Sequence, residues 1–433
     1  MNFHNSAASS DLLAYLSFDT VPAPKGAAIH IGAFVQSLAQ GFGSVQLVTV
    51  SATPERTTAE PWPQVSQTAL PAIGKTLIDR VLHFRQELGI WLQGRRFQVI
   101  HIRSIYEGFP IVQHKSRWCD FLVFEVNGLP SIELKYRYPD VVDDRELMQK
   151  LLAQEQICLE AADLIITPSR VTRAYLEGRG VAPGKIRVIP NGVDLEIFQY
   201  QAPLISRSLE MDLICASQIH DSQIHDSQIH DSQIRDKSRI YGVLYFGTLA
   251  GWQGVGLAVE ALGLFCRDFP GDLTIVGPSR PSQVAGLRQL AQKLDLTDRV
   301  QILGPMTQAE LVGQMHQAAA IVAPLTANDR NQGQGCCPLK ILEAMASGTP
   351  VIATDLPVVR ELGRDGEHFL LVKPGSAKGI KDAMVQLQTE PDLGSRLSQA
   401  ARQRIEHHYT WQQAGAALIK AYEGLGIRRA ITD

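Results

Sequence analysis

The sequence predicts an α/β fold of two doubly wound, Rossmann-like domains facing across a cleft, and three observations predict it. Short apolar runs alternate with helix-length amphipathic segments along nearly the whole chain. Those runs are rich in Val, Ile, Leu and Phe without strict polar alternation, as parallel strands buried on both faces require. The alternation comes as two consecutive series in a chain of 433 residues, a length that fits two large domains or three ordinary ones.

In the first series the expected strands are residues 12–18, 45–50, 97–102, 121–126, 163–167 and 186–189. Helical patterns lie between them at 27–40, 75–93 and 145–161. Pro168-Ser169 introduces a further helix and Gly180 stops it, with a cap candidate at one end and a C′ glycine at the other. The second series begins at Tyr241, with strands at 243–246, 273–276, 300–303, 320–323, 351–353 and 369–372. Thr307-Gln308-Ala309-Glu310 is a capping-box signature. The resulting domains are 1–200, joined by a C-terminal crossover helix at 410–428, and 241–409. Residues 201–240 form a linker. In such sheets ligands gather at the carboxyl ends of strands, so the loops after the strands carry function.

The linker contains four tandem pentapeptides, Ser-Gln-Ile-His-Asp three times and then Ser-Gln-Ile-Arg-Asp, over residues 217–236. A five-residue period matches neither a helix stripe nor a strand face, so Ile219, Ile224, Ile229 and Ile234 cannot be buried consistently. A metal tract through His220, His225 and His230 and a small pentapeptide solenoid compete with the simplest reading, an expanded flexible linker. The repeat holds four aspartates against Arg235 and so carries the whole formal charge of −3. The remaining body is neutral, which excludes nucleic-acid binding by bulk positive charge.

Other classes fall away as quickly. The 35 Gly and 23 Pro sit near the globular average, so fibrous and globally disordered chains are excluded. Six cysteines without a C-x-x-C spacing give neither a disulfide framework nor a zinc site. No positively charged segment precedes an apolar one at Met1-Asn2-Phe3-His4, and no apolar run approaches 18 residues. A cytoplasmic protein without a signal peptide or membrane span is therefore expected.

The most informative stretch runs from Asn331 to Ala346. A glycine-containing loop enters a helix whose first turn holds Pro338, where a missing N–H costs nothing. The first-turn N–H groups and the helix dipole favour an anion. Lys340 opposes that dipole by about 0.3–1 kcal/mol unless an anion binds there. Glu343, three residues on, shares its face. Together they could hold a diphosphate beside a ribose, or they could be an exposed pair on an ordinary helix. Cys336-Cys337 read as packing or loop residues. In the first series, Pro22 to Ala28 joins the first strand to the first helix, and its small residues would let a ligand approach the backbone. His101 and Arg103 end the third strand; alternation points both to one side, near the cleft edge. An acid–base role competes there with a merely satisfied strand-end histidine. Asn191-Gly192 is a turn leaving the first domain.

Taken jointly, these segments resemble retaining glycosyltransferases of family four, the group 1 enzymes with the GT-B fold. The specific pieces are 186–198 (IRVIPNGVDLEIF), 245–263 (YFGTLAGWQGVGLAVEALG) and 338–362 (PLKILEAMASGTPVIATDLPVVREL). The resemblance implies metal-independent transfer of a sugar from a nucleotide-diphosphate donor, without a cofactor and with retained configuration. It implies donor binding by Glu343 at the ribose, by Pro338, Leu339 and Lys340 at the diphosphate, and by Pro305 and Met306 at the nucleobase. Thr248, in the loop after the first strand of the donor domain, is a further donor-binding candidate. Gly26 and Ala27 would approach the donor across the cleft, and His101, Arg103 and Lys340 would form the catalytic set. Two departures stand out. The acidic residue that many relatives have eight positions before Glu343 is Gly335 here. Thr248 and Gln253 replace a common Arg and Lys, which leaves Lys340 as the substitute cation, with Arg103, Lys25, Arg280 and Arg330 from nearby loops as further candidates. These departures keep open a catalytically silent GT-B-like binding protein as the alternative; a dinucleotide oxidoreductase is disfavoured because no G-x-G-x-x-G follows the first strand.

The expected partners are a nucleotide-sugar donor and a carbohydrate or lipid-linked acceptor. From Lys75 to Arg117 there are eight Lys/Arg and three Asp/Glu around Trp91 and an apolar helix face. That segment allows peripheral contact at the inner face of a membrane, against a solvated basic edge.

Overall fold

A computed structural model describes residues 11–203 and 241–429 of the chain. The tandem repeat, and with it the choice between linker, metal tract and solenoid, lies outside the described residues.

The first sheet is built from β1 (Asp11–Leu16), β2 (Val45–Val50), β3 (Thr57–Trp62), β4 (Val65–Leu70), β5 (Phe97–Ile102), β6 (Cys119–Glu125), β7 (Leu164–Thr167) and β8 (Ile186–Val188). Their order is β3-β4-β2-β1-β5-β6-β7-β8, and every pairing except β3 with β4 is parallel. The apolar runs become strands because helices cover both faces, leaving Leu13, Ala14, Tyr15 and Leu16 with no exposure at all. The antiparallel β3–β4 hairpin is an addition that the apolar pattern did not announce. Its outer strand, Thr57–Trp62, is exposed over most of its length and carries no apolar run.

The second sheet contains β9 (Tyr241–Phe246), β10 (Gly271–Val276), β11 (Val300–Leu303), β12 (Ala320–Ala323), β13 (Val351–Thr354) and β14 (Leu370–Val372). Its order, β11-β10-β9-β12-β13-β14, is that of a doubly wound sheet with its switch point between β9 and β12. The first sheet reverses likewise between β1 and β5. Two Rossmann-like domains with parallel sheets are therefore present.

One compact unit takes in the chain up to Gly192, the segment Gln332–Cys337 and the chain from Trp411 onward; the other takes in Val193–Asn331 and Pro338–Thr410. The boundary lies at Gly192, eight residues before the expected 200. The C-terminal helix, Trp411–Glu423, belongs to the first unit and packs on the helix Gly26–Phe42. Local signals at helix ends correspond closely to the geometry. Thr307 and Glu310 form the expected capping box, and Ser169 caps the helix Arg170–Gly178. Pro338 differs: it is the N-cap of the helix Leu339–Ser347 rather than its first helical residue.

Candidate functional site

In the second unit the helix Leu339–Ser347 starts beside the loop that follows β9. Lys340 turns into that loop, its Nζ donating to Gln253 Oε1 at 2.6 Å and to Tyr245 Oη at 3.1 Å. The ammonium also sits 4.2 Å from the centre of the Tyr245 ring, a cation–π contact. Tyr245 Oη in turn donates to the Thr248 carbonyl at 2.7 Å, which fixes the tyrosine. The contribution of Thr248 is thus its backbone oxygen; its side chain is exposed. Gly254 closes this loop with φ +67°, and a Cβ there would meet the Pro324 carbonyl oxygen at 1.9 Å, so only glycine fits.

Glu343 lies on the same helix, 8% exposed, and accepts a hydrogen bond from the side chain of Gln308. Lys340 and Glu343 thus reach different neighbours, and no ion pair joins them among the described residues. Burial pushes the Glu343 carboxyl up to about 7, against the pull of Gln308 and Lys340. Burial likewise brings the Lys340 ammonium down to about 7, with Glu343 opposing it. Both groups are held near the point of losing their charge, and a ligand that supplied the opposite charge or a hydrogen bond would restore it. Pro305 is exposed and Met306 partly so, in the loop between β11 and the Thr307 cap.

In the first unit the structure gathers a buried polar network that the sequence reading caught only in part. Its hub is Glu125 at the end of β6, 1% exposed. Tyr15 Oη donates to Oε2 at 2.6 Å and His101 Nε2 donates to the same oxygen at 3.0 Å. Arg103 Nε donates to Oε1 at 3.0 Å, and Asn127 Nδ2 also reaches Oε1. His30 Nε2 stands 2.8 Å from Oε1, an ion-pair distance at which the ring is off the hydrogen-bond line. Burial raises the Glu125 carboxyl, but His30, Arg103 and the hydrogen bond from His101 outweigh it and hold it well below the carboxylate range.

His101 is fully buried, its second nitrogen 2.6 Å from Tyr422 Oη. Burial lowers the His101 pKa, so the ring is neutral, with Nε2 protonated toward the carboxylate and Nδ1 accepting from Tyr422. Both nitrogens are spent. The strand alternation does put His101 and Arg103 on one network, but the placement makes His101 a brace rather than a base open to substrate. Arg103, 9% exposed, runs outward and donates from Nη1 to Asp19 Oδ2 at 3.2 Å, and Lys25 meets Asp19 Oδ1 at 2.7 Å. Gly26 and Ala27 open the helix just beyond Lys25. Asn191, read as part of a turn, is buried: it meets His30 Nδ1 at 2.7 Å and donates to the Cys337 carbonyl at 2.7 Å.

Glu125, His30, Asp19, Tyr245 and Gln308 do not stand out as site residues in the sequence. The signal for Glu125 was present as one acid inside the run Phe121-Leu122-Val123-Phe124-Glu125-Val126, because a carboxylate buried there must be paired. Gly335 also gains a physical reason. It has φ +84° and packs on the Ser169 cap, where a Cβ would stand 2.7 Å from the Thr172 amide nitrogen. A side chain is excluded at this position. Among the described residues no group of three or more His, Cys, Asp or Glu could hold a metal ion.

Comparison with known proteins places these features in context. A family model described as glycosyltransferase family 4 matches residues 24–197, and one described as glycosyl transferases group 1 matches 241–390. The chain is 25% identical over 377 residues to the D-inositol 3-phosphate glycosyltransferase of Corynebacterium urealyticum, covering 85% of this chain and 80% of that one. It is 30% identical to the phosphatidyl-myo-inositol mannosyltransferase of Mycobacterium leprae over 40% of this chain and 43% of the relative. Among solved structures, sucrose-phosphate synthase from Thermosynechococcus elongatus superposes with a TM-score of 0.74 at 22% identity, covering 96% and 99% of the two chains. Anabaena HepE in complex with UDP and glucose gives 0.68 at 14% identity, covering 95% and 100%.

Proposed function

Because the chain belongs to the group 1, family 4 glycosyltransferases and has their GT-B fold, we propose that it moves a sugar from a nucleotide-diphosphate donor to a carbohydrate or lipid-linked acceptor. Transfer proceeds with retained configuration and without a metal ion or a further cofactor. The observation that carries this reading is the Lys340–Glu343 arrangement. A cation and a carboxyl, both held near the loss of charge by burial, stand at the start of one helix beside the loop after β9. Lys340, with the first-turn amides from Leu339 onward, takes the diphosphate; Glu343 takes the ribose hydroxyls. In catalysis their task is to stabilise the negative charge that grows on the departing diphosphate. Pro338 shapes the helix entry, and Pro305 and Met306 border the base. Gly26, Ala27 and Arg103 serve the transfer from the first unit.

A thermal-shift panel of UDP, GDP and ADP with their glucose or mannose conjugates tests the reading directly, because a ligand at 100 times its Kd stabilises by about 2.7 kcal/mol. The expected result is one preferred base whose diphosphate raises Tm by several degrees, and a conjugate that the protein cleaves. HepE, solved with UDP and glucose, makes UDP the first choice. No shift with any of the three diphosphates, and no release of nucleotide from the conjugates, would leave the silent binding protein as the better account.

The mannosyltransferase relative is named for a phosphatidylinositol acceptor, which favours the lipid-linked class. The helix Leu77–Leu92 supports the same choice, with Ile78, Leu82 and Ile90 exposed along its outer side and Ile73 just ahead of it. Lys75, Arg95 and Arg96 flank this stripe. Trp91 is not part of it: the ring is 5% exposed and stacks on Phe97. No helix among the described residues is long and apolar enough to cross a membrane, so contact would be peripheral, at the inner, cytoplasmic face. Co-sedimentation with phosphatidylglycerol vesicles, weakened by 0.5 M salt and by Leu82→Glu, is the expected result. No recovery with either kind of vesicle removes membrane contact from the reading, and equal recovery with neutral phosphatidylcholine vesicles removes the role of Lys75, Arg95 and Arg96.

A further inference from the structure

We propose that Glu125 is a positioning residue for transfer, acting through Arg103. The inference rests on the reading that Arg103 and the loop after β1 serve the reaction.

Glu125 has no capacity left for a substrate. An ionised carboxylate offers about four acceptor sites, and Tyr15 and His101 occupy Oε2 while Arg103 and Asn127 occupy Oε1. Its influence must therefore pass through the groups it holds. Of these, Tyr15 and His101 are fully enclosed, and His101 is tied at its far side to Tyr422 of the C-terminal helix. Asn127 is partly exposed but lies only two residues beyond Glu125; Arg103 is the group that carries the line outward to the loop after β1, through Asp19. Exposure of the side chains rises in order along this line, from 1% at Glu125 through 8% at Arg103 to 31% at Asp19 and 40% at Lys25.

The geometry of Arg103 shows what the carboxylate controls. The guanidinium is planar and rigid, so two contacts at different nitrogens fix both its plane and its rotation in that plane. Glu125 supplies the inner contact at Nε and Asp19 the outer one at Nη1. Asp19 is already shared with Lys25 and sits on the partly exposed loop, so it cannot locate Arg103 unaided. Strand register explains why Glu125 can. β5 and β6 run parallel with His101 opposite Val123 and Ile102 opposite Phe124, which brings the residues after them, Arg103 and Glu125, to the same strand ends. Loss of the charge on Glu125 would free the fork to rotate, and a misplacement of about 1 Å at a reacting group can cost roughly a hundredfold in rate.

The test is a double-mutant cycle with Glu125→Gln and Arg103→Ala. It measures release of nucleoside diphosphate from whichever of UDP-glucose, GDP-mannose or ADP-glucose the protein cleaves. Glu125→Gln keeps the shape and removes the charge. It is expected to lower kcat about 10–100-fold while the affinity for the diphosphate alone stays within twofold. Added to Arg103→Ala, it should have almost no further effect. A second readout needs no turnover: with 15N-labelled arginine, the Nε–H proton of Arg103, assigned by its loss in Arg103→Lys, should move upfield in Glu125→Gln. Should Glu125→Gln lose its cooperative melting, Glu125→Asp retains the charge, shortens the reach by one methylene and decides by the same criteria. Additive effects in the cycle, or an unmoved Nε–H resonance, would overturn the positioning role while sparing the reading of Arg103. Full activity in Arg103→Ala would overturn both.

Discussion

Lys340→Met is expected to weaken nucleoside diphosphate binding 10–100-fold and to abolish most of its pH dependence. A hydrogen bond to a charged group contributes about 1.5–3 kcal/mol, and each 1.4 kcal/mol is a factor of about ten. The sign of the pH effect follows from the ligand-free protein, where burial has lowered the Lys340 ammonium to about 7. Below that value the lysine is charged and ready for a phosphate. Above it, binding must first return a proton, so affinity falls by up to about tenfold per pH unit until the pKa of the complex is reached. The same group affects stability in a separable way. The folded pKa of Lys340 lies below its unfolded value, so the ionised lysine disfavours the folded state below about pH 7. That loss is recovered as pH rises from 7 toward 10.5. Glu343 acts oppositely: its folded pKa of about 7 exceeds the unfolded 4.5, so stability declines as pH rises between those values. The ligand-free pair is thus least favourable near neutrality. Removing the partly buried ammonium should leave Tm at pH 7 unchanged or higher while calorimetry records the loss of affinity. A Lys340→Met protein that binds UDP, GDP or ADP as tightly as the wild type from pH 6 to 9 would refute the phosphate role.

Much of this was legible from local pattern, and what escaped was what depends on partners distant in the chain. The strands Val45–Val50, Phe97–Ile102, Val300–Leu303 and Ala320–Ala323 and the helix Arg145–Ala161 stand where hydrophobic periodicity puts them. The helices Ile105–Val112 and Pro130–Arg137 were missed because each is eight residues long, one with a proline inside and the other introduced by one. Lys340 and Glu343 were visible because both lie on one helix at a fixed spacing. Tyr245, Gln253 and Gln308, which set their chemistry, come from segments 87–95 residues and 35 residues away. His30 presented itself as a lone histidine on an apolar helix face, and only the arrival of β6 beside it reveals the carboxylate. Glu125 is the instructive case. Its burial was implied by its neighbours, and a buried charge demands counter-charges. The sequence alone could not say that Arg103 would supply the charge and that Tyr15 and His101 would supply the neutral donors.

Gly335→Glu restores the acid that many relatives have eight positions before Glu343, and it is expected to destabilise the protein rather than improve it. Three costs coincide at this position. The backbone sits at φ +84°, where a residue other than glycine costs about 1–2 kcal/mol. A Cβ would stand 2.7 Å from the Thr172 nitrogen and 2.9 Å from Ser169 Oγ, the two atoms that form the cap of the helix Arg170–Gly178 at 3.0 Å. Displacing that cap costs about 1 kcal/mol. Neither neighbour can give way easily, because the segment is fastened on both sides. Gln334 Oε1 accepts from the Leu129 amide at 2.8 Å, and the Cys337 carbonyl accepts from Asn191 Nδ2 at 2.7 Å. Gly335→Ala, which adds only the Cβ, should therefore lower stability by about 2–3 kcal/mol, and Gly335→Glu by more, since it also places a carboxylate in a buried position. Urea melts of the two variants check the ordering. If Gly335→Glu melts with the wild type and also raises the rate of nucleotide release, the position is open after all, and the departure marks a lost catalytic acid. If both variants fall in the expected order, the missing acid is a consequence of how residues 332–337 are packed. The absence of a second glutamate then says nothing against activity, and the charge on the departing diphosphate is left to Lys340 and the first turn of its helix.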